Sequence, residues 1–266
     1  MFLETGSGRI AFETHGDKKE KSVLFIHGFP FNKSMWDEQA GLLSGDHFVV
    51  TFDMRGHGES DAGRGQYLVE FYADDVIAIM DHLGLEKTCV CGLSMGGYTA
   101  MRAIDREPHR FSGLILCDTK SSPDTNEAKL NRANQIKTIL AGNKSLFADG
   151  QIKALFAPRS IENKIPAVER IRTIIESTSD AALIGTLIAL SARMDMTETL
   201  PRISAPTLII VGKQDRITTL TDAGEMHAAI KGSRMAVVHE AGHLSNLENS
   251  EEFNAALLKF LSANNL

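Results

Sequence analysis

Three side chains far apart in the chain have the types needed to cleave an acyl bond: a hydroxyl, an imidazole and a carboxylate. The hydroxyl is Ser94, in the stretch Gly92-Leu93-Ser94-Met95-Gly96-Gly97. A serine held at the apex of a sharp strand-to-helix turn needs small neighbours two residues before and two after it, because strand and helix come very close there. Gly92 and Gly96 meet that demand, and Gly97 adds clearance. A serine is inert without a base, and the base needs an orienting acid. His243, in Glu240-Ala241-Gly242-His243-Leu244, lies between the last strand-like run and the last helical one. That puts it in a loop on the sheet edge where Ser94 is expected. His239 is the competing base, but it belongs within or just beyond the strand. Two acids compete in turn. Asp215 follows one late strand in Gly212-Lys213-Gln214-Asp215-Arg216, and Asp118 follows the strand before it.

Attack on a carbonyl also builds negative charge on its oxygen, which backbone N–H groups can hold. Met95 opens a helix, so its N–H lacks an intrahelical acceptor. The second donor is expected from His27-Gly28-Phe29-Pro30, through the Phe29 N–H. Two other readings of the glycine-rich turn exist. One is a turn with a serine N-cap. The other is a dinucleotide loop with Gly92 and Gly97 as its outer glycines and Asp118, 26 residues after Gly92, as the ribose acid. The Cβ of Ser94 would then obstruct a pyrophosphate.

These residues need a scaffold. After a short hairpin, Met1–Glu4 and Arg9–His15 around Gly6-Ser7-Gly8, come six apolar runs: Ser22–His27, His47–Asp53, Thr88–Cys91, Gly113–Cys117, Pro206–Val211 and Arg234–His239. They do not alternate polar with apolar, which suits strands buried on both faces of a parallel sheet. Amphipathic segments separate them: Ser34–Leu43, Val69–Leu83, Met95–Arg106, Thr221–Ala229 and Ser250–Ser262. The repeated strand–helix order predicts an α/β fold with a mostly parallel, doubly wound sheet. Residues 120–199 break the rhythm. Glu127–Leu140, Ser145–Phe156, Ile161–Ser177 and Asp180–Arg193 all read as helices. They predict a helical cap inserted between the fifth and sixth parallel strands, with 1–119 and 200–266 forming one core.

Composition narrows the function classes. The chain is 43% hydrophobic and 23% charged, with a net charge of −6, and no Lys/Arg stripe suggests nucleic acid. Three cysteines, Cys89, Cys91 and Cys117, sit in strand-like runs without disulfide or zinc spacing, as expected of buried thiols in a reducing compartment. The N-terminus lacks a basic and apolar leader pattern, and the longest apolar stretch, near 181–192, is too short for a bilayer. A cytoplasmic protein without membrane contact is the expectation; oligomeric state is not legible.

HGFP at 27–30, DMRGHGES at 53–60, GLSMGG at 92–97, GKQD at 212–215 and AGH at 241–243 together resemble the α/β-hydrolase superfamily across nearly the whole chain. Within it the chain is similar to small capped serine esterases and lactonases, a group that includes 3-oxoadipate enol-lactonases. The family's chain order of Ser, Asp and His favours Asp215 over Asp118. Asp53, Arg55 and His57 then read as scaffold. The resemblance implies a catalytic Ser94, Asp215 and His243, an oxyanion hole at Phe29 and Met95, and no metal or organic cofactor. It implies a small ester or lactone substrate, cleaved through an acyl-enzyme. Phe29, Trp36, Met95 and Leu146 are candidate pocket residues, with core packing the alternative for Trp36 and Leu146. Carbon–carbon hydrolases and cofactor-free haloperoxidases share the motifs, and a non-catalytic binder is the alternative of another class. One departure is Arg216-Ile217-Thr218-Thr219 after the acid, where many relatives have proline.

Overall fold

The structure, a computed structural model, describes residues 1–65, 67–163 and 165–266. The hairpin and the six apolar runs become eight strands: β1 (Phe2–Thr5), β2 (Gly8–His15), β3 (Ser22–Ile26), β4 (Phe48–Phe52), β5 (Thr88–Leu93), β6 (Phe111–Cys117), β7 (Thr207–Gly212) and β8 (Arg234–Val238). They form one sheet in the order β1-β2-β4-β3-β5-β6-β7-β8. β2 pairs antiparallel with β1 and β4; all pairings from β4 to β8 are parallel. Every residue of β3, β4, β5 and β7 is buried, which is why these strands carry no polar alternation.

Helices cover the sheet: α1 (Asp37–Leu43), α2 (Val69–His82), α3 (Met95–Arg106), then α4 (Asn126–Leu140), α5 (Lys144–Leu155), α6 (Pro158–Asn163), α7 (Ile165–Ser177) and α8 (Asp180–Ser191), and finally α9 (Leu220–Ala229), α10 (Ser245–Glu248) and α11 (Ser250–Ala263). Side-chain caps fix several starts. Thr125 accepts from the Ala128 N–H, Ser179 from the Ala182 N–H, and Thr219 with Asp222 forms a reciprocal capping box. The segment expected as one helix over Ile161–Ser177 falls on the end of α6 and on α7, and Lys164 between them lies outside the described residues. Ser34–Leu43 is also divided, into a 3-10 turn at Lys33–Trp36 followed by α1.

Helices α4 to α8 all lie between β6 and β7. Six strands are parallel, β3 to β8, so the insertion falls between the fourth and fifth of them. The count made from the sequence, fifth and sixth, is therefore one too high. No single helix among the described residues is long and apolar enough to cross a membrane.

The strand order reverses at β3. From it the chain moves outward to β4 on one side and later returns to β5 on the other. In such sheets ligands bind at the carboxyl ends of the strands beside the reversal. β3 there delivers His27-Gly28-Phe29, β5 delivers Ser94, and β6, β7 and β8 end just before Asp118, Asp215 and His243.

Candidate active site

Ser94 follows β5 and caps α3 with φ 53° and ψ −110°. That conformation is unfavourable for a residue with a Cβ and persists only where surroundings impose it. Here the Ser94 N–H donates to the Cys117 carbonyl at 2.9 Å, and the Thr119 hydroxyl donates to the Ser94 carbonyl at 2.8 Å. The close approach expected of the turn is present. A Cβ on Gly92 would overlap the Gly96 carbonyl, and one on Gly96 would overlap the Ile26 carbonyl of β3. Both glycines are therefore required by backbone proximity.

The strained turn sets the Ser94 Oγ 2.8 Å from His243 Nε2, and His243 Nδ1 lies 2.7 Å from Asp215 Oδ2. The three residues are nearly buried, at 9%, 2% and 7% exposure for Ser94, His243 and Asp215. Asp215 takes further donors from its own loop. The Ile217 and Thr218 N–H groups donate to Oδ1 at 2.8 and 3.1 Å, and the Thr218 hydroxyl donates to Oδ2 at 2.6 Å. The departure from proline thus has a use: proline at either position would remove one of these N–H donors. Thr218 is a contributor that sequence reasoning did not single out.

Two carboxyls sit near one imidazole, and their environments push them apart. Burial raises Asp215, but the attraction and hydrogen bond of His243 and the donors of Thr218 outweigh it and hold the acid below its ordinary range. Burial, then the charge of Asp215, pushes Asp118 up to about 8. Asp118 makes its hydrogen bonds away from the imidazole line: its Oδ1 accepts from the Gly212 N–H at 2.8 Å and its Oδ2 accepts from the Ser245 hydroxyl at 2.5 Å. For His243, burial works against the charged form, but Asp215, and then Asp118 and Glu248, raise its pKa overall.

Asp118 yields a stability prediction. Its pKa is raised on folding, so its contribution is complete below about 4 and is lost as pH rises to about 8. For one proton the slope is at most about 1.4 kcal/mol per pH unit. Asp118→Asn is expected to gain stability relative to the parent across that window, read from melting temperatures at about pH 5, 7 and 9. A constant difference at all three would mean the carboxyl is not shifted.

The loop after β3 is fixed from behind. His27 Nδ1 donates to the Gly28 carbonyl at 2.8 Å, and its Nε2 accepts from the Met54 N–H at 2.9 Å. Burial lowers its pKa to about 4, which keeps it neutral in that tautomer. Neither the Phe29 N–H nor the Met95 N–H has an acceptor among the described residues. Asp53 takes the Lys33 N–H and ammonium at 2.7 and 2.9 Å, and Arg55 pairs with Asp75. Both lie apart from the Ser94–His243–Asp215 line, as scaffold residues should.

A cavity of about 590 Å³ opens over Ser94 and His243, lined by Phe29 and, from the inserted helices, by Gln135, Leu146, Phe147 and Leu155. Phe29 and Leu146 are thus where pocket residues were expected, Leu146 at 62% exposure. Trp36 is not. It is fully buried against Phe25 at 4.8 Å and Phe253 at 6.1 Å between ring centroids, so its bulk stabilises the core. Met95 is also corrected as a lining side chain, because it is fully buried in the core. Only its backbone N–H is available to the site. His239 is exposed and paired with Glu252 at 3.2 Å.

Fold and site together place the chain in the α/β-hydrolase fold family, whose profile matches residues 21–157. Among curated proteins it is similar to 3-oxoadipate enol-lactonase 2 of Acinetobacter baylyi, with 32% identity over 252 residues, 93% of this chain and 91% of that protein. Among solved structures it is similar to a thermophilic esterase from Thermogutta terrifontis, determined with malate bound: 32% identity, TM-score 0.94 and 100% of both chains covered. An enol-lactonase from Burkholderia xenovorans LB400 matches at 27% identity and TM-score 0.92, over 98% of this chain and 100% of that one.

Proposed function

We propose that the protein is a serine hydrolase that cleaves a small carboxylic ester or lactone through an acyl-enzyme on Ser94. The observation that carries this reading is the line from Ser94 Oγ to His243 Nε2 to Asp215, at 2.8 and 2.7 Å. Ser94 attacks the carbonyl carbon and His243 Nε2 takes the hydroxyl proton. Asp215 holds the Nδ1–H tautomer and stabilises the imidazolium. The Phe29 and Met95 N–H groups hold the oxyanion, each worth about 3–4 kcal/mol in such sites. The imidazolium then gives its proton to the leaving alcohol. Water, deprotonated by His243, releases the acid and regenerates Ser94. The esterase and enol-lactonase names of these relatives support an ester or lactone substrate. A cavity of about 590 Å³ suits a small or medium acyl group.

A substrate panel tests this reading. p-Nitrophenyl acetate and an enol-lactone are expected to turn over with kcat/KM at least about 10⁴ M⁻¹s⁻¹ for the better of the two. Turnover of a vinylogous diketone alone would make the protein a carbon–carbon hydrolase. Halogenation or peracid formation without ester cleavage would place it with haloperoxidases. No turnover and no serine labelling in folded protein would make it a binder.

A further inference from the structure

Glu248 is 2% exposed and lies five residues beyond His243, at the end of α10. Its hydrogen-bond partners are three backbone N–H groups on two different parts of the fold. Oε1 accepts from Gly242 at 2.8 Å and from Leu244 at 3.2 Å, the residues on either side of His243. Oε2 accepts from Ala157 at 2.8 Å, at the junction of α5 and α6 in the helical insertion. The remaining N–H of the triplet, that of His243 itself, donates to the Leu155 carbonyl at 2.7 Å. Three consecutive N–H groups of the histidine loop are thus held, two by one carboxylate and one by the insertion. The insertion is held by the same carboxylate in return. The backbones also touch closely, since a Cβ on Gly242 would lie 2.7 Å from the Ala157 nitrogen.

We infer that Glu248 is a positioning residue that ties the α5–α6 junction to the loop carrying His243, so that the imidazole stands over Ser94 only while the insertion is seated. A buried carboxylate taking three backbone donors is a rigid bracket, because each charge-assisted bond is stronger than a neutral one. A displacement of the base of about 1 Å costs on the order of 100-fold in rate. The inference rests on the reading of His243 as the base.

The test compares the parent, Glu248→Gln and Ala157→Pro as full chains, with folding checked by melting temperature and circular dichroism. Gln keeps the shape but turns an NH₂ toward N–H donors, so the bracket opens. The expected result is a kcat for p-nitrophenyl acetate lower by about 10- to 100-fold with KM changed less than about 3-fold. The acid limb of kcat/KM is also expected to move to lower pH. His243 faces the carboxyls of Asp215, Asp118 and Glu248, while Arg159 near Glu248 is neutralised by Glu240 at 2.6 Å. Removing one negative charge therefore lowers the imidazolium's pKa, a shift that mere loss of folded protein would not produce. If Glu248→Gln does not hold its fold, Ala157→Pro decides the matter from the insertion side. It deletes one donor, leaves both loop bonds, and is expected to lower kcat by about 10-fold. Unchanged kcat, KM and pH profile in a folded variant of either kind would overturn the inference. A parent that neither turns over esters nor labels with a fluorophosphonate would instead overturn the hydrolase reading beneath it.

Discussion

Ser94→Ala is expected to fold like the parent and to lose ester hydrolysis by about 10⁴- to 10⁶-fold. The size of the loss follows from what stays behind. In the proposed mechanism, loss of the nucleophile leaves water to attack with only substrate binding and the N–H groups of Phe29 and Met95 to help, which in related triads leaves about 10³- to 10⁴-fold over uncatalysed water. The fold should tolerate the change. Alanine meets the same backbone conformation as serine at φ 53°, and the supporting bonds from Thr119 and to Cys117 are made by the Ser94 backbone. Progress curves with p-nitrophenyl acetate and a melting curve check both halves. Activity within about 10-fold of the parent would remove Ser94 from the chemistry.

Asp215→Asn is expected to lower kcat by about 10⁴-fold and also to change the pH profile. In the proposed mechanism, His243 must be neutral to accept the Ser94 proton. Its pKa lies above the ordinary 6.5, because the favourable interactions with Asp215 outweigh burial. Activity should therefore rise with pH through a midpoint above that value. Removing the Asp215 charge leaves burial to dominate, so the midpoint should fall. The lost rate has a second origin: an amide can present its NH₂ to Nδ1 and stabilise the wrong tautomer, with the proton on Nε2 facing Ser94. The pH dependence of kcat/KM reports the free enzyme's ionisation. A midpoint that does not move would mean that Asp215 does not set the charge of His243.

What was legible in the sequence follows from where the physical constraint resides. Gly92 and Gly96 announce the turn because their requirement is local: two backbones pass too close for a Cβ. The buried strands announce themselves through unbroken apolar runs, and His243 through its place after the last strand. Trp36 was open to misreading because its partners, Phe25 and Phe253, stand on either side of it in sequence and meet it only in three dimensions. Met95 combines two features that one letter cannot separate, a core side chain and an N–H without an acceptor among the described residues. The choice between Asp118 and Asp215 depended on chain order, whereas the folded structure distinguishes them by their partners: Asp215 meets the His243 imidazole at 2.7 Å, and Asp118 accepts from Gly212 and Ser245 instead. Glu248 was silent because its bond to the insertion spans 91 residues. Helical periodicity locates the inserted helices but says nothing about how they are seated.

The most direct measurement is the mass of the protein after exposure to a fluorophosphonate, with the modified peptide sequenced. One phosphonyl group on Ser94 is expected, with ester hydrolysis falling in step with labelling, and no adduct on His243→Ala, whose serine lacks a base. Full hydrolytic activity in a protein whose Ser94 stays unmodified, or an adduct on another residue that accounts for all the lost activity, would contradict the account.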